Sequence, residues 1–390
     1  VLHFGRFDSP YFGGLERHVR LLLGHLPPDI RADNLVAQDA IRSPDVEMRD
    51  GYRVFRAPSW GLIASVPMAP RLVSMARALW RDEEYSIAHL HFPDPLSHAA
   101  ALALPADASI VITWHSDVIR QRRFMALYQP WLNRLLNRAR AIVAATPCHF
   151  DSSTQLRVDR GKVRVIPYGL DYRDLDKTAA VAARAEELRR RHGTRTLVFA
   201  LGRHVYYKGF EYLIRAAQRL DASIVIGGSG PLLDQHRALV RLLGVDDRVH
   251  LPGRIADADL AAHYHACDIF CLPSVASSEA FGLVQLEAMA CEKPVICCAL
   301  GNGVNFVNPH LESGITVPPR DPAALADAIQ RLAGDPELRR RLGAAGRRRA
   351  REEYSLERMV SGHANLYREI AGRSAGAQGS TNPVSATAMP

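Results

Sequence analysis

Hydrophobic positions along the chain alternate between two rhythms. Short, nearly unbroken apolar runs such as VLHFG, IAHLHF, SIVITWH, AIVAATP and KVRVIPYG read as buried strands. Between them, apolar residues recur three and four apart. Leu15, Val19, Leu22, Leu23 and Leu26 in LERHVRLLLGHL are one such stripe, the mark of an amphipathic helix. A charged stretch, Arg173 to Arg195, then separates the halves as a linker, and the rhythm restarts. TLVFALGR, SIVIGGSGP, RVHLPG, DIFCLPS and PVICCA predict strands. FEYLIRAAQRL, LLDQHRALVRLLG, DLAAHYHA and PAALADAIQRLAG predict the helices between them. The fold class is α/β: a doubly wound, Rossmann-like domain over 1–170 and a second over 171–355. YSLERMVSGHANLYREI predicts a last helix, 356–370, packing back on the first domain, and the small, polar tail 371–390 predicts disorder. Ligands of open parallel sheets bind outside the carboxyl ends of the strands. Two such domains are therefore expected to face each other across a cleft.

Length and composition agree with that picture. The chain has 390 residues, enough for two cores, with 47% hydrophobic and 23% charged positions, as in globular proteins. Net charge is +8. A mild basic excess suits an anionic ligand or an anionic membrane surface. It also suits nucleic acid, but the arginines are not interleaved with aromatics on a strand platform, so a nucleic-acid partner is not expected. The six cysteines, Cys148, Cys267, Cys271, Cys291, Cys297 and Cys298, show no framework spacing and point to a reducing, cytoplasmic setting. The opening VLHFGRF, which lacks an initiator Met, reads as a strand rather than a leader. No apolar run approaches the ~18 residues of a membrane span.

Candidate chemistry collects where strands end. In LGRHVYYKGF, Arg203 and Lys208 follow a strand and precede a helix. Arg offers a planar fork and Lys a mobile point charge, and together they suit a diphosphate. A solvated basic loop gives the same local pattern. In GGSGP, Gly228 sits in a turn that permits close backbone approach, or simply joins strand to helix. SEAFGLVQLE holds Glu279 and Glu287, eight positions apart. In one helix they would stand about 12 Å apart at ~1.5 Å per residue, too far to flank a single bond. The Ser and Gly content places Glu279 in a loop and starts the helix near Gly282–Leu283. The N–H groups of Phe281, Gly282 and Leu283 would then be free for a phosphate. Glu279 could grip sugar hydroxyls, and Glu287, a turn inside, a ribose diol. Gly13-Gly14 opens the first helix and offers a second anion site, or a plain strand–helix turn. His115 ends the strand in TWHSDVIRQ and faces the ligand edge, whereas His89 and His91 read as buried structural histidines.

Taken in order, these motifs resemble the retaining GT-B glycosyltransferases that carry an E-x7-E motif, the family 4-like group. Glu279-x7-Glu287, the pair Arg203 and Lys208-Gly209, and Gly13-Gly14 carry the resemblance, over roughly residues 1–370. TWHSDVIRQRRFMALYQPWL, RHVYYKG, SEAFGLVQLE and GNGVNFVN look closest to bacterial polysaccharide mannosyl- and rhamnosyltransferases using GDP-sugars. Ser277-Ser278 stand where such relatives often carry Arg. The resemblance implies hexosyl transfer, mannose-like, from a GDP-sugar or UDP-sugar to a growing lipid-linked surface glycan, with retention and without a metal or other cofactor. Arg203 and Lys208 would hold the diphosphate, Glu279 and His115 the donor sugar, Glu287 the ribose, and Gly14 would approach the phosphate. A sugar-nucleotide epimerase or a phosphorylase of the same architecture is the alternative.

Other stretches imitate sites. DAD at Asp257–Asp259 reads as a helix N-cap, DLD at Asp174–Asp176 as linker. His263, His265, Cys267 and Cys271 match no common zinc spacing. VIRQRRFMALYQPWLNRLLNRAR carries an apolar stripe, Phe124, Leu127, Tyr128, Trp131 and Leu135, flanked by arginines and interrupted by Pro130. Such a helix either packs in a core with a basic rim or docks peripherally on the inner face of the plasma membrane.

Overall fold

The computed structural model describes residues 1–8, 13–38, 45–63, 66–118, 122–151 and 153–378. They form two units. One comprises Val1–Ala144, Thr154–Ile166 and the chain from Glu357; the other comprises Ala145–Ser153 and Pro167–Leu356.

The first unit contains β1 (Leu2–Phe4), β2 (Asp33–Ala37), β3 (Val46–Arg49), β4 (Tyr52–Ala57), a small hairpin of β5 (Leu62–Ile63) and β6 (Val66–Pro67), then β7 (Ile87–Phe92), β8 (Ser109–Trp114), β9 (Ala139–Ala144) and β10 (Val163–Val165). Eight of these strands build one sheet in the order β10-β9-β8-β7-β1-β2-β4-β3, parallel throughout except for β3 against β4. Register sets which side chains share a face. His3 lies beside His89, and His91 beside Thr113. Side chains alternate along a strand, so His3, His89, His91 and Thr113 project to one side together with Ile87 and Val111. Two helices cover that side. Val19 and Leu23 of Gly14–Leu23 pack with Val36 and Val54. Leu366, Tyr367 and Ile370 of Leu356–Gln378 pack with Ile87, Val111 and Ala141. Burying a side chain such as Leu366 stabilises by roughly 1.5–3 kcal/mol. That last helix continues past Ile370 to Gln378, so 371–378 is helix and not tail. Its sequence there, AGRSAGAQ, holds no proline to stop it. Residues 379–390 lie outside the described residues.

The second unit has β11 (Thr196–Leu201), β12 (Ala222–Gly227), β13 (Val249–Gly253), β14 (Ile269–Leu272), β15 (Val295–Cys298) and β16 (Gly314–Val317), all parallel, in the order β13-β12-β11-β14-β15-β16. Counted from β11, this is the doubly wound order 3-2-1-4-5-6, whose direction reverses between β11 and β14. The stretch Arg173–Arg195 is not a linker. Thr178 caps a helix, Ala179–Arg191, that buries Ala185 and Leu188 and ties itself down through Arg184–Asp259 and Arg189–Asp268 ion pairs. Its charges form the outer face of a packed helix, which the dense Arg and Glu content concealed.

The histidine-rich face gives the first unit a pH dependence. Burial, with repulsion from neighbouring imidazoles, holds His3, His18, His89 and His91 well below the usual histidine range, and burial lowers His363 to about 4. Below pH ~6.5 the unfolded chain binds these protons and the folded one resists them. Their stabilising contribution is complete above that pH and is lost as pH falls, by up to about 1.4 kcal/mol per pH unit for each group. The thermal midpoint of the first unit is therefore expected to drop between pH 7 and pH 5. Calorimetry at the two values checks this, and an unchanged midpoint contradicts it.

Candidate functional site

The carboxyl edge of the second sheet is built by loops that lock onto one another. Gly202 N–H donates to Gly227 O at 3.0 Å, and His204 N–H to Ser229 O at 2.9 Å, joining the loops that follow β11 and β12. Gly228 has φ of +125°, and a Cβ there would sit 1.9 Å from the Gly202 carbonyl oxygen. Only glycine fits both the backbone angle and the space. A short turn, Tyr206–Lys208, ends at Gly209 with φ +64°, and a Cβ on Gly209 would lie 2.2 Å from Pro273 O. Val275 N–H donates to Tyr207 O at 2.8 Å. The loop after β11 is thus pressed onto the loop after β14, at the reversal of the strand order.

There Lys208 meets Glu279. Lys208 Nζ lies 2.5 Å from Glu279 Oε2, with the residues only 8% and 9% exposed. Ser274 Oγ donates to the same carboxylate at 3.0 Å, and Asn302 Nδ2 donates to Glu279 O at 2.8 Å. Neither Ser274 nor Asn302 was singled out from the sequence. Asn302 also caps the helix Gly303–Val307, and an Asn ahead of a short apolar run was its available signal. Arg203 is exposed and carries no ion pair among the described residues.

Glu279 lies in the loop, and the helix after it spans Leu283–Ala290. Gly282 adopts φ +72° at its head, and the Gly282 and Leu283 N–H groups donate to no carbonyl among the described residues. Phe281 is buried, edge-on to Tyr168 at 4.8 Å and Tyr354 at 5.7 Å, which anchors the turn. Glu287 sits a turn inside the helix, 2% exposed, and accepts from Tyr264 Oη at 2.6 Å. No local pattern pointed to Tyr264; its partner is 23 residues away.

In the first unit, His115 follows β8 half-buried, with its Nε2 3.0 Å from His91 Nδ1. Gly13 caps the helix that starts at Gly14, but its N–H already donates to Glu16 Oε2 at 3.0 Å. An anion arriving at Gly13-Gly14 meets a carboxylate in place, one whose pKa burial pushes up. A cavity of about 380 Å³ opens instead beside Val1, Ile30, Tyr85 and Tyr367, near the amino ends of β1 and β7, the edge opposite to His115.

The imitation sites resolve otherwise. Asp257 begins the helix Asp257–Ala266 and Ala256 is its N-cap, so DAD is not a cap: Asp259 pairs with Arg184 and Asp257 is left to favour the helix dipole. Asp176 pairs with Arg351. His263, His265 and Cys267 bond to three separate carbonyls, of Asp259, Leu175 and Tyr264. All six cysteines are free. In the helix Arg122–Arg138 the anticipated stripe splits. Leu132, Leu135 and Leu136 are buried and Tyr128 Oη bonds to His98, while Leu127 and Trp131, one turn apart, are 79% and 61% exposed. Residues 119–121 of that stretch, and the side chain of Phe124, lie outside what is described.

Comparison with known proteins bears on both units. Residues 12–174 match the family model described as Glycosyltransferase Family 4, and residues 185–349 match Glycosyl transferases group 1. The chain is 33% identical over 369 residues to O-antigen chain mannosyltransferase C of Escherichia coli, covering 94% of this chain and 97% of that one. It is 33% identical over 356 residues to D-rhamnosyltransferase WbpZ of Pseudomonas aeruginosa, covering 91% and 92%. Among solved structures, sucrose-phosphate synthase from Thermosynechococcus elongatus superposes with a TM-score of 0.81 at 24% identity, over 95% of this chain and 99% of that one, which shows a shared fold.

Proposed function

The chain belongs to the glycosyltransferases, and from that premise we propose that it moves a mannose-like hexosyl residue from a nucleoside-diphosphate sugar, GDP-linked in preference to UDP-linked, to a lipid-linked bacterial surface glycan. The relatives named as an O-antigen chain mannosyltransferase and a D-rhamnosyltransferase, each matched over more than nine-tenths of its length, support the sugar class, and the first supports a surface-glycan acceptor. The observation that carries the site assignment is the Lys208–Glu279 pair at the strand-order reversal.

With no ligand bound, each charge of that pair neutralises the other in a nearly dry site. An arriving diphosphate competes for Lys208 and adds Arg203 and the Gly282 and Leu283 N–H groups. Glu279, still held by Ser274, is released towards sugar hydroxyls, while Glu287 and its Tyr264 partner face the ribose. Gly228 admits the donor close to the backbone, and His115 meets a sugar hydroxyl; phosphate reaches Gly14 only if Glu16 gives up Gly13 N–H. In the retaining step the bond from the anomeric carbon to the phosphate oxygen breaks through an oxocarbenium-like state. The acceptor oxygen bonds on the same face, and its proton passes to the departing phosphate oxygen. Fixed cations and N–H dipoles stabilise the charge that grows on the diphosphate. These groups supply the counter-charge, so the proposal requires no metal, and turnover should persist in EDTA.

Lys208→Ala and Glu279→Ala are each expected to lower turnover by roughly 10²–10³-fold. The measurement is nucleoside diphosphate released on adding acceptor, which also separates transfer from epimerisation. The double variant Lys208→Met/Glu279→Gln removes both charges and leaves neither unpaired. It should keep the thermal midpoint and lose turnover; wild-type rates in these variants sink the assignment. In a thermal-shift panel, GDP is expected to raise the midpoint more than UDP or ADP, since a ligand that binds only the folded state stabilises it. A larger rise with UDP reverses the donor preference.

No helix among the described residues is long and apolar enough to cross a membrane. The proposed location is the inner face of the plasma membrane, with Leu127 and Trp131 as anchors and the exposed Arg134 beside them. The protein should float with phosphatidylcholine vesicles that contain phosphatidylglycerol, at low salt, and less so without it. Leu127→Ser/Trp131→Ser should abolish flotation. Wild-type protein left at the bottom of the gradient excludes the docking.

A further inference from the structure

The buried face of the first sheet carries an unbroken string of hydrogen bonds. Thr113 Oγ1 lies 2.7 Å from His89 Nε2, and His89 Nδ1 lies 2.5 Å from Tyr367 Oη. Tyr367 Oη lies 3.1 Å from His3 Nε2, and His3 Nδ1 lies 3.2 Å from His91 Nε2. His91 Nδ1 closes the string on His115 Nε2 at 3.0 Å. Every member before His115 is buried. Parallel register sets His3 beside His89 and His91 beside Thr113, and the Leu356–Gln378 helix supplies the one hydroxyl that bridges His89 to His3.

A neutral imidazole has one N–H donor and one acceptor nitrogen, on opposite sides of the ring. In a string that uses both nitrogens of each ring, every proton must point the same way. Either His89, His3, His91 and His115 all carry hydrogen on Nδ1, with the Thr113 hydroxyl donating at the far end, or all carry it on Nε2, with His115 donating inward. A mixed set leaves two donors or two acceptors facing each other, or, where the sense changes at Tyr367, its O–H without an acceptor, in a dry interior where an unmade hydrogen bond costs most. Burial holds His3, His89 and His91 neutral, and His18, His363 and the Val1 amino group are the other titratable groups around them.

The geometry points to a tautomer lock. Thr113, His89, Tyr367, His3 and His91 are positioning residues that fix, from inside the first unit, which ring nitrogen of His115 carries the proton. Nε2 of His115 is committed to His91, so whatever group meets Nδ1 finds a donor in one sense of the string and an acceptor in the other. The inference rests on the reading of His115 as a sugar contact, and adds that its hydrogen-bonding sign is set by residues that never touch substrate. A metal held by His3, His89 and His91 is the competing use of these rings, whose ligand atoms lie within 4.8 Å of one another. Against it, His89 stacks on His91 at 20° and His91 on His3 at 26°, and ring nitrogens that lie in near-parallel planes do not converge on one ion.

The test needs no substrate, so it can fail or succeed independently of the donor assignment. The full-length protein is labelled with 15N-histidine, and long-range 15N–1H correlation spectra at neutral pH report the tautomer of each ring. Single His→Asn variants assign the signals. The expected result is one shared tautomer for His3, His89, His91 and His115. Tyr367→Phe, which deletes only the bridging hydroxyl, should free His89 from the sense of the other three. Thr113→Val, which removes the terminal hydroxyl at nearly constant volume, should shift the same signals in a protein whose helix packing is intact. A mixed set of tautomers, an imidazolium among the four, or stoichiometric zinc in the purified protein overturns the lock. So do wild-type spectra in both variants.

Discussion

The second unit depends on β11 and β14 lying side by side and parallel while the chain departs from them in opposite directions. The chain leaves the two strand ends for opposite faces of the sheet, so room for side chains remains between them even though the two loops touch at Tyr207 and Val275. The sequence fills that space with an ion pair, Lys208 from one loop and Glu279 from the other, 71 residues apart. Glycines at 209 and 228 have no side chain because the neighbouring backbone carbonyls already occupy the place where one would stand. The paired charges are thus held by the order of the strands and by two missing methyl groups more than by any local motif.

The two units solve the burial of polar groups differently. In the second, opposite charges cancel in a buried ion pair between two loops. In the first, neutral rings satisfy each other hand to hand across β1, β7, β8 and the last helix. An ion pair answers a new charge by rearranging. A string of neutral donors and acceptors answers only by turning as a whole, which makes it a stiffer support.

Much of this was legible in the chain. The strand–helix rhythm located the strands that carry the site, and the Ser-rich SVASSE placed Glu279 outside the helix that holds Glu287. Other elements were hidden for identifiable reasons. The β3–β4 hairpin turns on Asp50-Gly51, with φ of +46° and +90°, a strong hairpin signal masked by the polar, half-exposed β3 beside it. β2 opens with Asp33 and Asn34, polar residues that read as loop until Arg53 and Tyr85 are seen bonded to Asp33. The helix Pro336–Glu353 carries Gly343 and Gly346, which lower helix propensity, yet Gly343 is needed because Glu292 O lies 2.2 Å from where its Cβ would be. The histidine string was spelled in HLH and TWH, whose every-second-residue spacing sets the rings on one side of a strand. The bridging Tyr367, 278 residues from His89, was beyond any local pattern.

The first unit owns both the earliest strands and the final helix of the chain, with Pro167–Leu356 of the second unit made in between. At 5–20 residues per second, a ribosome takes roughly 10–40 s to deliver that intervening stretch. Throughout that interval the side of the early sheet bearing Ile87, Val111 and the paired histidines has the helix Gly14–Leu23 but lacks Leu366, Tyr367 and Ile370, while the later-made unit can already close on itself. During biosynthesis the first part begun is therefore the last part finished, and it is this half-built surface that a chaperone would have to shield.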